Sequence, residues 1–303
     1  MSEPALPDHD STAPTAISWP MRLEAYGFRA VAAFARALSV DQASALSGTI
    51  WRGIAPWLRR DKRAMRQIAE ALPDLSPAEH RQIINRMWRN LGRNFGEAFH
   101  LDDIVADPRR ITIRASDATM ERLKTNRKLV VVSLHTGNWE IASVAFSKST
   151  GIPVTGIYQK LKNPLVNDDV VAMRAQFYPL GLFPKGKEAI VKMLRIVKQG
   201  GAAALLADLR DFRGLSVPFF HRLAPSTPIP AMLSVTQDAP ILIGRVIRKD
   251  GAFFEVEFKL MEFTPTGERD ADIAALTALI HRQFETWIRE YPDQWMWGHR
   301  RWG

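Results

Sequence analysis

The sequence predicts an α/β fold, in which a central mixed sheet is flanked by helices and follows an N-terminal helical region. From residue 111 onward, short runs of β-branched and apolar residues alternate with amphipathic segments of helical period, which is the pattern of an α/β sheet. Residues 19–104 carry apolar side chains at helical spacing. Asp250-Gly251 joins two later apolar runs, and because Asp-Gly favours tight hairpin turns, we expect an antiparallel pair in the sheet.

The N-terminal region is predicted to begin with a disordered tail and to continue as helices that associate with a membrane. Residues 1–18 are acidic and polar, and they lack the basic start and apolar run of a signal peptide. No stretch of the sequence reaches the roughly 18 apolar residues that a membrane-spanning helix needs. We therefore expect a tail over 1–18, a helical, membrane-associating region over 19–104, and an α/β domain over 105–303.

The first predicted helix has two chemically different faces. Arg29 and Arg36 share one face of a helix over residues 26–40, and most of the apolar side chains take the other. Such a helix either lies in a membrane interface or docks on a protein core. Tryptophans at positions 19, 51 and 57 favour the interface, because indole rings prefer the head-group layer.

The remaining elements are predicted from local signals. Ser76-Pro77-Ala78-Glu79 is typical of a helix start, and the continuous, mostly β-branched run Leu129-Val-Val-Val-Ser-Leu134 is typical of a strand that is buried on both faces. The other predictions, in chain order, are a strand at 111–114, helices at 117–125 and 140–148, a strand at 154–158, helices at 167–178 and 187–198, a strand at 202–207, hairpin strands at 241–249 and 253–260, and a helix at 270–290.

The composition indicates a folded, basic protein. Of the 303 residues, 46% are hydrophobic and 24% are charged, which is usual for a globular chain. The sequence has no cysteine, so disulfides and thiol catalysis are excluded. A net charge of +9 attracts polyanions such as anionic lipid head groups, acidic carrier proteins or nucleic acid, and the charge alone does not choose among them.

His135 is the strongest candidate for a catalytic residue. An apolar strand is predicted to end there, a Gly137-Asn138 turn follows, and a helix begins at Glu140. Open α/β sheets bind ligands at the carboxyl ends of their strands. His135 on a strand end and Glu140 in a first helical turn can meet, whereas on one continuous helix they would point about 140° apart. Glu140 would then bind one ring nitrogen, and the other nitrogen would accept a proton from a hydroxyl.

Two other interpretations of His135 remain open at this point. A histidine at a strand end is often a polar residue with satisfied hydrogen bonds and no catalytic role. A zinc site is the weaker alternative, because no second histidine follows at H-E-x-x-H spacing, and we predict no metal. The Glu140 partner across a Gly-Asn turn favours catalysis.

Four segments in this order resemble the glycerolipid-type acyltransferases that carry an H-x4-D/E signature. The similarity is greatest to the branch that adds lauroyl or myristoyl groups in lipid A biosynthesis, and it covers residues 20–303. The segments are His135-Thr-Gly-Asn-Trp-Glu140, Tyr158-Gln-Lys-Leu-Lys-Asn163-Pro164, Ala207-Asp208-Leu-Arg-Asp-Phe-Arg-Gly214 with Val217-Pro-Phe-Phe220 and Thr227, and Asp293-Gln-Trp-Met-Trp297-Gly-His299-Arg300-Arg301-Trp302.

The resemblance implies an O-acyltransferase with His135 as general base and Glu140 as its partner. His135 would deprotonate an acceptor hydroxyl, and the oxygen would attack an acyl thioester without an acyl-enzyme. The backbone N–H groups at the start of the Glu140 helix are candidates for holding the oxyanion. The resemblance points to four substrate-binding residues, which are Asn138, Lys187, Asp208 and Gly214.

Two of these four substrate-binding assignments have alternatives. Lys187, or Lys185 in a shifted alignment, would bind a phosphate group, but a solvated lysine fits the same position. Asp208 would orient a basic residue or the acceptor sugar, or it would cap the following turn.

The resemblance also implies the partners. The donor would be an acyl-carrier-protein thioester, and the acceptor a phosphorylated glucosamine lipid at the cytoplasmic face of a bacterial inner membrane, with no metal or organic cofactor. Leu209 stands where the family usually has glutamine and His221 where it has glycine, which leaves the acceptor open.

Two alternatives to this function remain. One is an acyltransferase for another acceptor, such as a phospholipid, an ornithine lipid or a glycolipid. The other is a non-catalytic basic protein that binds membranes or nucleic acid. The sequence has no nucleic-acid-binding motif, so we expect no nucleic-acid partner.

Overall fold

Helices form the first part of the chain in the computed structural model, which describes residues 17–125 and 127–302. Ser39 and Ser76 each begin a helix with a capping box. The serine side chain accepts a hydrogen bond from the backbone N–H of the third helical residue, whose side chain accepts one from the backbone N–H of the serine. Residues 1–16 of the predicted tail lie outside the described residues. The helices are α1 (Trp19–Ala37), α2 (Val40–Ile54), α3 (Arg59–Ala71), α4 (Pro77–Glu97) and α5 (Leu101–Ala106).

Helices α2 and α4 pack with their backbones in close contact. A Cβ atom on Gly92 would lie 2.5 Å from Cβ of Trp51, and one on Gly96 would overlap the carbonyl of Ala43. A methyl group at these glycines has no room unless the helices separate. The indole of Trp51 stacks on Phe95, with ring centroids 4.7 Å apart, beside this contact.

We expect Gly96→Ala to lower the free energy of unfolding by about 1–3 kcal/mol, because the obstacle is backbone and cannot rotate away. Gly53→Ala on α2 is the matched control, since no atom lies within 4 Å of its added Cβ. The control should be neutral or up to about 1 kcal/mol more stable. Urea unfolding of both variants measures the difference in their free energies of unfolding. Equal unfolding midpoints would show that the close contact between α2 and α4 does not exclude a methyl group at Gly96.

The predicted α/β fold with a central mixed sheet is confirmed. The seven-stranded sheet has the order β1-β9-β8-β2-β5-β3-β4, and every neighbouring pair is parallel except β8 and β9. The strands are β1 (Ile111–Arg114), β2 (Leu129–Ser133), β3 (Val154–Tyr158), β4 (Leu182–Pro184), β5 (Ala202–Leu206), β6 (Arg210–Phe219), β7 (Arg222–Ser226), β8 (Ile241–Arg248) and β9 (Phe254–Leu260).

Helices cover both faces of this sheet. One of them starts earlier than predicted, at Pro164, because the Asn163 side chain caps it by accepting a hydrogen bond from Leu165 N at 3.1 Å. The helices of this part are α6 (Asp117–Thr125), α7 (Glu140–Thr150), α8 (Pro164–Ala175), α9 (Lys187–Lys198), α10 (Ile229–Gln237) and α11 (Arg269–Glu290).

Strand β2 is buried on both faces, as its unbroken apolar run predicts. Val130 and Val132 enter one hydrophobic cluster with side chains of α3, α4 and α11, and Leu129 and Val131 enter a second cluster with α7. One core thus takes side chains from both sides of the predicted boundary at residue 105, and that boundary stays a prediction.

The β6–β7 hairpin lies outside the main sheet and was not predicted. Phe219 pairs with Arg222 across a two-residue turn, in which Phe220 and His221 have positive φ angles of 49° and 60°. Such a turn usually carries Gly or Asn. Here the strain is offset by packing, because the Phe220 ring is buried and its backbone N–H donates to Glu285 Oε2 at 2.7 Å.

No helix in the described ranges is both long and apolar enough to cross a membrane.

Candidate active site

The candidate site lies at the carboxyl ends of β2 and β5. Ser133 of β2 pairs with Leu206 of β5 in parallel register. His135 and Asp208 each lie two residues beyond that pair, so the parallel strands deliver them side by side. The site therefore occupies the edge of the sheet where ligands bind in open α/β folds.

His135 and Asp208 form a hydrogen-bonded pair. The distance between Nδ1 of His135 and Oδ1 of Asp208 is 2.7 Å, and the backbone N–H of His135 donates to Oδ2 at 3.1 Å. The indole N–H of Trp295 donates to the same Oδ2 at 2.8 Å. These contacts leave the other ring nitrogen, Nε2, without a hydrogen bond to any residue that the structure describes.

Asp208 is ionised despite its complete burial. Burial acts to raise the pKa of its carboxyl, but the charge that His135 carries when it is protonated and the hydrogen bonds from His135 and Trp295 lower that pKa to about 2. A buried carboxylate at Nδ1 holds the proton of the neutral ring on that nitrogen. Nε2 then carries a lone pair that can accept a proton, and the His135 side chain is only 12% exposed.

Glu140 does not take the predicted position beside the ring of His135. Its Oε1 accepts a hydrogen bond from Nη2 of Arg174 at 2.5 Å instead. The prediction that Glu140 binds the His135 ring is therefore wrong, and Asp208 takes that place. The register of β5 brings Asp208 to Nδ1, whereas Glu140 in the first turn of α7 points toward α8. A catalytic role of Glu140 stays a prediction, and Arg174 is a neighbour that the sequence did not indicate.

Asn138 is buried within the protein, although a substrate-binding role was predicted. Its Nδ2 donates to Oε2 of Glu97 at 2.9 Å, and its Oδ1 accepts from the backbone N–H of Glu140 at 3.3 Å. Both polar atoms of the side chain are therefore engaged by protein groups. We interpret Asn138 as a residue that holds the loop between His135 and Glu140.

Of the other three predicted substrate-binding residues, Asp208 is the hydrogen-bond partner of His135, and Lys187 and Gly214 lie on other elements. Lys187 is exposed at the first residue of α9. This helix follows β4, which is three strands from β2 and so about 14 Å away across the sheet. Gly214 lies in β6, where a Cβ atom would overlap the carbonyl of Ser226. The requirement for glycine there follows from the close approach of β7.

The segment from Trp295 to His299 closes one side of the site. Trp295 forms an isolated antiparallel bridge with Thr136, next to His135. Burial, and then the charges that His135 carries when it is protonated and that Arg60 carries, lower the pKa of His299 to about 4. His299 is therefore a second, neutral histidine near His135. The aromatic and basic residues of this segment were the sequence signal that marked it.

The backbone N–H groups at the start of α7 are already engaged. Those of Ile141 and Ala142 donate to the carbonyls of Asn138 and Trp139, at 3.1 and 3.2 Å, and that of Glu140 binds Asn138 Oδ1. The oxyanion donors predicted in this turn are thus not free. Among the described residues, no group of His, Asp and Glu side chains is arranged to hold a metal ion.

One family of known proteins matches almost the whole chain. The sequence model of the bacterial lipid A biosynthesis acyltransferases matches residues 17–303. Comparison with curated protein sequences found no match. The matched range contains His135, Asp208 and Trp295, the three residues that meet at the ends of β2 and β5.

Proposed function

The chain belongs to the bacterial lipid A biosynthesis acyltransferase family, and we propose that it moves a fatty acyl chain from an acyl-carrier-protein thioester to a hydroxyl of a lipid A precursor. One observation carries the proposal. The buried carboxylate of Asp208 binds Nδ1 of His135 and leaves Nε2 as the proton acceptor. This is the arrangement of a general base that is oriented by a carboxylate.

The proposed reaction needs no acyl-enzyme. Nε2 of His135 takes the proton of the acceptor hydroxyl, and the oxygen forms a bond to the thioester carbonyl carbon. Collapse of the tetrahedral intermediate breaks the carbon–sulfur bond, and the departing thiolate takes the proton back from the imidazolium. The Asp208 carboxylate stabilises the imidazolium between these two proton transfers.

We assign Glu140 an indirect part in this reaction. It holds the guanidinium of Arg174, whose side chain is one third exposed, next to the loop that carries His135. A guanidinium in this place is suited to a phosphate on donor or acceptor. Lys187 and Lys185, further along the sheet edge, are proposed as weaker anion contacts for the carrier protein.

We propose that α1 attaches the protein to the cytoplasmic face of the inner membrane. The two arginines of this helix are about half exposed and pair with carboxylates of neighbouring elements: Arg29 pairs with Asp169 at 2.8 Å, and Arg36 pairs with Asp102 and Asp103. On the inner side of the helix Ala25 and Ala35 are buried, and Phe28 packs on Phe99. The helix also has an outer apolar side, which is typical of a helix that lies in a membrane interface. We call its exposed residues the outer apolar surface: Trp19, Leu23, Tyr26, Val31 and Phe34.

An anionic bilayer is the occupant that suits this surface. Exposed apolar residues also occur on α2, at Leu46, Ile50 and Ile54, and Trp57 follows them with 88% exposure. Aromatic residues over an apolar face are typical of helices that lie in a membrane interface. The net charge of +9 adds attraction to anionic lipids.

Product identification tests the proposed function. The full-length protein is incubated with labelled acyl-carrier-protein thioester and a Gram-negative membrane lipid extract, and the labelled lipid is identified by mass spectrometry. We expect the label in a phosphorylated glucosamine lipid. Label in a phospholipid or an ornithine lipid would contradict the acceptor while retaining the reaction type.

The salt dependence in the same assay tests the donor. An acidic carrier protein is steered by exposed positive charge, so its kcat/KM should fall steeply with salt. A coenzyme A thioester should show a shallower slope. The double variant Lys185→Glu, Lys187→Glu should lose rate at low salt, whereas Lys198→Glu at the far end of α9 should not. Equal rates and slopes for both donors would refute the carrier assignment.

A further inference from the structure

A buried ion pair lies beneath the catalytic loop, residues 134–139. Glu97, the last residue of α4, has no exposed surface, and Arg248, the last residue of β8, is 8% exposed at its side chain. Nη2 of Arg248 donates to Oε2 of Glu97 at 2.9 Å, and Nη1 donates to Oε1. The two side chains thus form a bidentate pair inside the protein.

Other buried groups complete the hydrogen bonding of this pair. Nε and Nη2 of Arg248 each donate to a side-chain oxygen at 2.5 Å, in Asn90 and Asn94 respectively. Nη1 also donates to the carbonyl of Gly251 at 2.7 Å. The hydroxyl of Ser44 donates to Oε1 of Glu97 at 2.6 Å. The charges are therefore paired, and all three nitrogens of the Arg248 guanidinium donate hydrogen bonds.

The pair is joined to the catalytic loop by two hydrogen bonds. Nδ2 of Asn138 donates to Oε2 of Glu97 at 2.9 Å, and Nδ2 of Asn94 donates to the carbonyl of Gly137 at 2.6 Å. Gly137 has a φ of 53°, and a Cβ atom there would overlap the carbonyl of Val246 on β8. The residues that follow His135 are thus held against α4 and β8 at consecutive positions.

Arg248 also connects to the segment that holds Asp208. Its backbone N–H donates to Oε1 of Gln294 at 2.8 Å, and its carbonyl accepts from Nε2 of Gln294 at 2.9 Å. Gln294 is followed by Trp295, whose indole N–H binds the Asp208 carboxylate. One buried pair is therefore linked to both members of the proposed catalytic dyad.

A stability role alone explains this pair poorly. Removing two charges from water is costly, and apolar replacements of buried ion pairs are often neutral or stabilising. A directional, fully bonded pair does fix the relative positions of the groups that it joins. We infer that Glu97 is a positioning residue for the acyl transfer, and that its ion pair with Arg248 sets the place of His135 relative to Asp208.

This inference rests on the proposed function for its kinetic readout, and a second readout is independent of activity. We expect Glu97→Gln to lower kcat by roughly tenfold to a hundredfold with little change in KM, because misplacing catalytic groups by about 1 Å has such an effect. Amide hydrogen exchange in residues 134–139 should become faster at the same time, while exchange in α11 stays unchanged.

The matched control uses the same strand. Arg245, three residues before Arg248 on β8, pairs with Glu257 on β9 at 2.7 Å. Within the part of the chain that the structure describes, it makes no hydrogen bond or ion pair with the catalytic loop. Glu257→Gln should therefore leave kcat and loop exchange as in the wild type. It also measures the general effect of weakening an arginine pair on β8.

A double variant covers the case in which an unpaired Arg248 unfolds the protein. Glu97→Met with Arg248→Met removes both charges together, so the fold should persist. The loop loses the hydrogen bond from Asn138 to Glu97, and Asn94 loses the Arg248 contact that holds it beneath Gly137. Wild-type kcat and wild-type loop exchange in a folded Glu97 variant, single or double, would overturn the inference. If the wild type has no acyl-transfer activity, the proposed function fails, and the exchange data still decide whether the pair orders the loop.

Discussion

Asp208→Asn is expected to lower kcat by about four orders of magnitude while the protein stays folded. The amide has the shape of the carboxylate, but it has no charge to stabilise the imidazolium and it can donate to Nδ1, which favours the wrong tautomer of His135. The same change in a Ser-His-Asp triad has an effect of about 10⁴. Because Asp208 is fully buried, single-turnover acyl transfer must be compared with thermal unfolding of the same sample.

Two further variants make this test decisive between the possible partners of His135. His135→Ala should remove turnover, since the general base is lost without opening the core. Glu140→Gln should have a much smaller effect than Asp208→Asn, because Glu140 binds Arg174 and not the ring. An inactive Glu140→Gln protein with a near-normal Asp208→Asn protein would reverse the assignment and restore Glu140 as the partner.

Leu23→Glu together with Phe34→Glu is expected to move the protein from anionic vesicles to the soluble fraction. Each side chain is about 60% exposed on α1 (62% and 59%), and burying an apolar side chain contributes roughly 1.5–3 kcal/mol. Loss of both contacts should reduce the partition coefficient by more than about a hundredfold. Vesicle sedimentation measures this partition coefficient directly.

The control for the membrane test is an equally exposed apolar residue elsewhere. Val191 on α9 is 58% exposed and is not part of the outer apolar surface, so Val191→Glu should bind vesicles like the wild type. If the α1 double variant sediments unchanged, the outer apolar surface is not the anchor, and the exposed residues of α2 and Trp57 become the next candidates.

Local patterns were sufficient for the fold class and for the position of His135. The apolar run of β2, the turn after it and the capping box at Ser76 are all short-range signals, and the structure contains the corresponding elements. The β6–β7 hairpin was not predicted, because Phe220 and His221 stand where such turns usually have Gly or Asn. Its conformation depends on Glu285, which is far away in sequence. Helix α10 and the three-residue strand β4 have similarly weak local signals.

The partner of His135 could not be chosen from the sequence, although both candidates were marked. Glu140 is near in sequence and Asp208 is distant, so the shorter separation favoured Glu140. The choice depends on strand order: only when β5 is known to lie next to β2, in the register that pairs Ser133 with Leu206, does Asp208 arrive at the ring. The position of Asn138 likewise depends on Glu97, which comes from the helical region.

The central place of β2 in the sheet also has a consequence for how the protein folds. Val130 pairs with Ala203 on one side and with Ile241 on the other, so this strand has no neighbour until much later parts of the chain have been synthesised. Contacts of such large sequence separation slow folding. The apolar run of β2 stays unpaired in the nascent chain during that interval, and unpaired apolar segments of this kind are where aggregation starts in folding chains.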